Sequence, residues 1–188
     1  MAHVPSSNAV YPLVGKPHDS LGFKVEYPTY LGAKYDASTT NFTYVVAPSN
    51  KASEPLEITV SFLSPITPTS TLRQAIPASY VTVHVNGNTG VNIYMDINGR
   101  WVSGDANSAI SWEHDVIEKD SSNNQHALQR WQIRRQNELL LSEISDRAEW
   151  GTLHFTGPAV CVPLCIFREL IALTYPRMPN SNLAMLLV

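Results

Sequence analysis

Apolar and polar residues alternate along much of this 188-residue chain. In the run LEITVSF, residues 56–62, every second residue is apolar. Successive residues of a β-strand point to opposite faces of a sheet, so this run has one buried and one exposed face. Runs of similar character follow at residues 81–85, 91–97, 109–115, 127–135, 139–144 and 150–155. The pattern predicts an all-β fold, a two-layer antiparallel β-sandwich of about eight strands.

The segment NGNTG, residues 86–90, separates two of these runs. Asn and Gly readily adopt the positive φ angles that a tight turn requires. We therefore expect the runs at 81–85 and 91–97 to pair as a β-hairpin.

The charge of the chain argues against two classes of partner. Charged residues make up 15% of the sequence and the formal net charge is −3, so no basic surface for nucleic acid or anionic lipid is expected. The apolar run at 161–173 is too short for a membrane span and is interrupted by Arg168 and Glu169. We expect neither a nucleic-acid partner nor a membrane span.

Three segments follow from these patterns. Residues 1–22 are expected to be irregular, with the part from Tyr11 to Asp19 running along the surface. Residues 23–157 form the β-sandwich domain. In the C-terminal tail, residues 158–188, the apolar side chains of Leu164, Phe167 and Ile171 have helical spacing and predict a short helix. The N-terminal residues show no secretory signal, so we expect either a cytosolic protein or one whose signal precedes this sequence. The sequon at Asn41 predicts a glycosylation site and favours a secreted origin.

Three segments of the chain read as motifs. They are FLSPITPTSTLRQAIPASY at 62–80, DINGRWVSGD at 96–105 and RRQNELLLSEISDRAEWG at 134–151. In this order and spacing they resemble the N-terminal β domain of the fungal glutaminase A family, over about residues 30–157. The resemblance implies a secreted amidohydrolase that converts glutamine to glutamate and ammonia, with the β-sandwich followed by a large, toroid-like helical domain. The resemblance ends near Gly157, so we expect this sequence to represent the β domain without a signal peptide or the helical domain.

Local signatures of catalysis are not found in the sequence. It contains no G-x-S-x-G, S-x-x-K or H-E-x-x-H motif and no glycine-rich phosphate loop. Its six histidines are scattered singly, and Cys161 and Cys165 have neither zinc nor thioredoxin spacing. We therefore expect no metal and no cofactor.

The acidic side chains allow a catalytic interpretation. Two converging carboxylates could act as acid and base, and Asp96 and Asp105 are weak catalytic candidates for such a pair. The favoured interpretation is structural, with acidic residues capping turns and pairing with arginines. The acidic residues are Asp96, Asp105, Glu113, Asp115, Glu143 and Asp146, and the arginines are Arg100, Arg130, Arg134, Arg135 and Arg147.

The four tryptophans divide into two pairs. Trp112 and Trp131 are in phase with Ile110 and Ile133, which favours a place in the core. Trp101 and Trp150 lie at strand ends and are candidates for a rim that contacts a ligand or partner. Tryptophans on a sheet can also stack on sugar rings, which keeps a carbohydrate-binding function open.

The first motif is stiffened by prolines. Pro65, Pro68 and Pro77 each fix a backbone φ angle, so the connection has a defined path. We expect Arg73 to turn under this connection and meet either a carboxylate, with Asp96 and Asp105 as the candidates, or several backbone carbonyls. Gln74 would complete the network, and Tyr80 would start the next strand.

Three functions remain open from the sequence. The favoured one is a noncatalytic structural or interaction domain that braces the helical domain of the family or self-associates as a homodimer. The second is a carbohydrate or cell-surface binding module. The third is a residual amidohydrolase or glycosidase that uses its own carboxylates.

Overall fold

A computed structural model describes residues 1–15, 24–47, 54–95, 99–117, 128–158, 172–173 and 181–187. Within these ranges the fold is all-β, as predicted. The strands are β1 (Ala2–Val4), β2 (Ala9–Tyr11), β3 (Lys24–Val25), β4 (Thr29–Tyr35), β5 (Thr39–Val46), β6 (Leu56–Leu63), β7 (Ser79–Asn86), β8 (Asn92–Tyr94), β9 (Ile110–Ile117), β10 (Leu128–Arg135), β11 (Glu143–Ile144), β12 (Arg147–Ala148), β13 (Thr152–Pro158), β14 (Ala172–Leu173) and β15 (Ser181–Leu187).

Helical structure is confined, in the described part of the chain, to two single turns. These are α1 (Thr71–Gln74) and a 3-10 turn (Gly99–Trp101). Neither turn approaches the length that a membrane-crossing helix needs, and no other described segment is a candidate.

The chain forms two compact units. Unit 1 comprises Met1–Ser64, Val81–Asp96 and Cys161–Leu183, and unit 2 comprises Pro65–Tyr80, Ile97–Val160 and Ala184–Val188. Unit 1 contains a five-stranded sheet in the order β14-β8-β1-β2-β3 and a ladder in the order β4-β5-β6-β7. Most pairs are antiparallel, while β2 and β3 are parallel. The two sheets make the predicted β-sandwich.

Alternation correctly predicted the buried face of β6 and β7. Leu56, Ile58 and Val60 are at most 4% exposed, whereas Glu57 is exposed. Val83 on β7 is likewise buried. Buried side chains from both sheets form the core of unit 1, and these include Ala2, Val4, Val10, Tyr11, Val46, Leu56, Ile58, Val60, Val81, Val83 and Ile93.

The predicted hairpin around residues 86–90 is wrong. Strand β8 pairs with β1 and β14, whereas β7 adjoins β6, so this segment connects two sheets. Gly87 has a φ of 148°, and a Cβ there would lie 2.5 Å from the side chain of Leu56. Glycine is thus required by close packing as well as by backbone angle, and neither requirement specifies a hairpin.

The N-terminal segment is more ordered than predicted. Strands β1 and β2 form an antiparallel hairpin, in which Ala2 lies opposite Tyr11. Tyr11 is 1% exposed, so it does not lie at the surface as expected, and its hydroxyl donates a 2.7 Å hydrogen bond to Glu26. Strands of three residues are too short to show a period of two, which is why the sequence pattern did not indicate them.

Unit 2 contains the antiparallel ladder β13-β10-β9, in which Trp131 lies opposite both His114 and Phe155. Trp131 is half-buried and its ring lies 5.2 Å from that of Trp112. Trp112 itself is 55% exposed, so its predicted place in the core is wrong. Trp112 lies on β9, which among the described strands has a neighbour on one side, β10. A side chain on such an edge strand is covered less than a side chain on a central strand.

Two further predictions concern the end of the chain. Residues 139–144 were expected to form a strand, but they form a turn over 139–142 followed by the two-residue strand β11, which pairs with β12. The short helix predicted around Leu164 to Ile171 lies outside the described residues. In the tail the described residues are β14 and β15, and Leu187 of β15 pairs with Phe155.

Candidate functional site

Unit 2 contains a buried carboxylate, that of Glu149. Glu149 is 0% exposed, which is rare for an acidic side chain unless it is paired. Its Oε2 accepts a hydrogen bond from Ser103 Oγ at 2.6 Å, and its Oε1 accepts one from the backbone N–H of Gly104 at 2.7 Å. Arg135 Nη1 donates to the same Oε2 in a short ion pair. Three donors from the domain therefore satisfy this carboxylate.

The backbone of Glu149 is fixed as well. Its N–H donates to the carbonyl of Ser142 at 3.1 Å, and its carbonyl accepts from the N–H of Leu139 at 3.0 Å. One residue thus joins the turn at 139–142 to the loop at 103–105. We call Glu149, Arg135, Ser103 and Gly104 the Glu149 node.

Ser103 extends the hydrogen bonding around the node. This side chain is 2% exposed, its Oγ lies 2.8 Å from Ser108 Oγ, and it accepts from the N–H of Asp105 at 3.1 Å. Asp105 Oδ1 accepts from the N–H of Asn107 at 2.9 Å, and its Oδ2 lies 3.9 Å from Arg135 Nη2. The loop that follows Trp101 is therefore tied down at several points.

Gly104 allows the two segments to approach each other. A Cβ at this position would lie 1.8 Å from the carbonyl oxygen of Ile144, which is backbone and has little freedom to move. The glycine of the WVSGD segment is needed here for its lack of a side chain, since any other residue would push the two loops apart.

The electrostatics of the node favour a charged glutamate. The hydrogen bond from Ser103 is the largest influence and holds the pKa of Glu149 below its ordinary value, against the opposing effect of burial. The Gly104 N–H and Arg135 act in the same direction. A carboxylate held in this way is a poor proton donor or acceptor near neutral pH.

The structure does not bring Arg73 to an acidic partner. Arg73 lies in α1, is exposed, and forms no ion pair with a described residue. Its backbone N–H bonds to Ser70 Oγ, which caps α1. The expected contact with Asp105 is therefore wrong, and Asp96 lies outside the described residues. The arginine that lies near Asp105 is Arg135, from the third motif, at 3.9 Å.

The rest of the first motif is organised locally. Gln74 Nε2 donates to the carbonyl of Thr67 at 3.0 Å, so Gln74 does contribute to the connection. Tyr80 lies in β7, which begins one residue earlier, as expected. The three prolines Pro65, Pro68 and Pro77 are exposed.

Two other acidic residues of unit 2 also face arginines. Asp115 and Arg130 form a two-point contact of 2.5 and 3.0 Å across β9 and β10. The bond from Arg130 lowers the pKa of Asp115. Glu113 and Arg134 lie 3.6 Å apart with both side chains more than half exposed. These contacts match the structural interpretation of the acidic residues.

The two rim tryptophans are both exposed. Trp101 is 60% exposed in the 3-10 turn, and Trp150 is 44% exposed directly after Glu149. The sequon residue Asn41 is half-buried within β5, opposite Lys34 and Ser61.

A shallow depression also lies on the β9–β10–β13 ladder, and its lining includes Glu113, Gln132 and Arg134. No group of three His, Cys, Asp or Glu side chains that could hold a metal ion occurs in the described ranges.

Neither Glu149 nor Ser103 was predicted as a site residue from the sequence. The sequence does offer one indication of Glu149. This glutamate lies between Ala148 and Trp150 within the third motif, in a segment that shows no helical or strand periodicity. Nothing in the sequence alone pointed from this glutamate to Arg135 rather than to another arginine.

The family model described as a domain of unknown function, DUF5127, matches residues 47–173, which is more than half of the chain. This chain belongs to the DUF5127 family. The matched range of this DUF5127 domain includes all three motifs and the whole Glu149 node.

Two relatives carry glutaminase names. The DUF5127 chain is 55% identical over 161 residues to a protein of Arthroderma benhamiae named probable glutaminase, and the match covers 84% of this chain. It is 33% identical over 133 residues to glutaminase A of Aspergillus oryzae, with 65% of this chain covered. The chain spans 18% of the length of each relative. No solved structure matches it. The relation to the glutaminases that the motifs predicted is thus confirmed.

Proposed function

We propose that this DUF5127 domain is a noncatalytic structural module of a glutaminase-type protein. The observation that carries the proposal is the Glu149 node. An acid or base in catalysis must reach its substrate, yet the carboxylate of Glu149 has no exposed surface and is satisfied by Ser103, Gly104 and Arg135. Its hydrogen bonds hold two loops together, and this carboxylate is therefore not free to act as an acid or base.

The half-buried carboxylates of Asp105 and Asp115 support the same proposal. Asp105 accepts a backbone hydrogen bond and lies near Arg135, and Asp115 is paired with Arg130. A catalytic pair of carboxylates needs one member that donates and one that accepts, with room for substrate between them. The weak candidate Asp105 is used within its own loop instead.

In this proposal the domain is part of an extracellular fungal glutaminase and contributes to its architecture. Conversion of glutamine to glutamate and ammonia belongs to the larger polypeptide, to which this module supplies a rigid surface. Glycosylation at Asn41 remains a prediction, and mass spectrometry of secreted protein with and without Asn41→Gln would test it.

The test is ammonia release from glutamine by the purified 188-residue chain. We expect no release above the buffer control, for the parent chain and for Asp105→Asn alike. Sustained release by the parent that Asp105→Asn abolishes would contradict the proposal and restore the residual amidohydrolase.

The exposure of Trp101 and Trp150 favours one second candidate, a carbohydrate-binding module. A glycan array would distinguish it, since binding that is lost in Trp101→Ala or Trp150→Ala, with the melting temperature unchanged, requires these rings at the surface. Absence of binding to any glycan would remove this candidate.

A further inference from the structure

Three consecutive leucines are exposed in the turn that the Glu149 node supports. Leu139, Leu140 and Leu141 are 42%, 75% and 90% exposed. We call residues 139–141 the leucine turn. Single exposed apolar residues are common on protein surfaces, but a consecutive run of them is unusual unless it contacts a partner.

The leucine turn is held firmly. The N–H of Leu139 bonds to the carbonyl of Glu149, and the N–H of Glu149 bonds to the carbonyl of Ser142. Ser142 returns two hydrogen bonds to the carbonyl of Leu139, at 3.1 Å from its N–H and 2.7 Å from its Oγ. Trp150 follows Glu149 directly in the chain and is also exposed. A surface fixed in this way loses little conformational entropy when it binds.

The backbone of Leu141 is strained. Its φ is 56°, in the left-handed region that a bulky side chain seldom adopts. Strained residues persist where the surrounding structure fixes them, and they are concentrated at functional surfaces. Because Leu141 is 90% exposed, burial within this unit does not compensate for the strain.

We propose that the leucine turn and Trp150 form the surface through which this domain docks onto the remainder of a longer glutaminase-type polypeptide. This inference rests on the proposed function and names its contact surface. The surface that the leucine turn contacts is an apolar groove on the same polypeptide. In each relative the matched region is 18% of the length, and the rest of that protein is covalently attached to it.

The size of the surface favours that occupant over a second copy of this chain. Stable independent dimers bury about 800 Å² on each partner, from roughly 20–30 residues a side. The leucine turn and Trp150 comprise four side chains, which is far fewer. A tether raises the effective concentration of the two surfaces to the order of millimolar, so a small apolar contact suffices within one chain.

The test uses a chimera in which this domain replaces the matched region of the Arthroderma benhamiae relative. Leu140→Cys places a thiol in the leucine turn, and Leu72→Cys places one at a matched exposed position, since Leu72 is 79% exposed on α1. The rate of maleimide labelling is measured in the chimera and in the isolated chain. The chimera and the isolated chain without the new cysteine are labelled in parallel, so that labelling of Cys161 and Cys165 can be subtracted.

We expect the thiol of Leu140→Cys to react at least about tenfold more slowly in the chimera than in the isolated chain, with no such change for Leu72→Cys. Equal rates in both proteins would overturn the proposal. Slowing in the isolated chain as its concentration rises, with a dimer in light scattering, would also overturn it, because a second copy would then be the occupant.

A second variant tests the energetic contribution of the contact. Leu140→Ser should lower the melting temperature of the chimera and leave that of the isolated chain unchanged, and equal effects on the two would overturn the proposal. The failure of the proposed function is separate: ammonia release by the isolated chain would remove that function whatever the labelling shows. Equal labelling without ammonia release would remove the docking surface alone.

Discussion

Glu149 accepts a 2.7 Å hydrogen bond from the backbone N–H of Gly104, and this contact joins positions 45 residues apart in the chain. The two positions belong to the second and third sequence motifs, DINGRWVSGD and RRQNELLLSEISDRAEWG. The motifs therefore meet around one buried carboxylate. The two motifs are thus explained by their contact with each other in the folded domain, and contact with a substrate is not needed to explain them.

Removal of the arginine of the node should destabilise the domain. In Arg135→Met the buried carboxylate of Glu149 loses its charged partner, and an unpaired buried charge is strongly unfavourable. We expect the melting temperature to fall by about 5–10 °C in a thermal scan. The matched control is Arg134→Met, because Arg134 is half exposed and 3.6 Å from Glu113, and it should shift the midpoint by no more than roughly 2 °C. Equal shifts in the two variants would count against the node.

Stability should depend on pH through Glu149. Its pKa is lower in the folded domain than the ordinary value of about 4.3. The folded state thus binds fewer protons than the unfolded state, so the stabilisation is present above about pH 4.3 and is lost as the pH falls through the folded pKa.

The measurement is the urea midpoint of the parent and of Glu149→Gln between pH 7 and pH 3. The parent should lose more stability than the variant across this interval. The variant should keep part of the slope, because the pKa values of Asp36 and Asp115 are also lowered. Parallel curves for parent and variant would show that Glu149 does not titrate as described.

The close approach at Gly104 gives a steric prediction. In Gly104→Ala the new Cβ would overlap the carbonyl oxygen of Ile144, so the loops must separate and the hydrogen bond from residue 104 to Glu149 must lengthen. We expect a fall of at least about 5 °C in the melting temperature. Gly90→Ala is the control, since a Cβ at Gly90 meets nothing within 4 Å. Equal melting of both variants would refute the close contact.

The strain in the leucine turn can be relieved without loss of burial. Leu141→Asn places a residue that tolerates positive φ at an exposed position. We expect the isolated chain to gain up to about 1 kcal/mol in the free energy of unfolding, from denaturant titration. Leu140→Asn, at a position without positive φ, should produce no such gain. A loss of stability in Leu141→Asn would mean that the leucine packs within the domain.

The sequence predicted those strands in which apolar and polar residues alternate regularly. The alternation at Leu56, Ile58 and Val60 follows from one face being buried, and it gave the correct core face. It did not reveal that β8 pairs with β1, because both strands are three residues long and their partners are distant in sequence. Pairing between remote short strands depends on tertiary packing, which a local pattern does not encode.

The Glu149 node was not predicted from the sequence. An arginine anchored to a carboxylate was expected at Arg73, where three prolines stiffen the chain, and it was found at Arg135 with Glu149. Stiffness of a loop does not determine where a long side chain finds its partner. The choice of Glu149 follows from the Ser103 hydroxyl and the Gly104 N–H, which become neighbours of that carboxylate through folding.

The most direct test follows Glu149→Gln with two readouts on the same preparation, thermal melting and ammonia release from glutamine. We expect the variant to melt at a lower temperature than the parent, and neither protein to release ammonia above the buffer control. Ammonia release by the parent that Glu149→Gln abolishes, at an unchanged melting temperature, would show instead that this carboxylate serves catalysis.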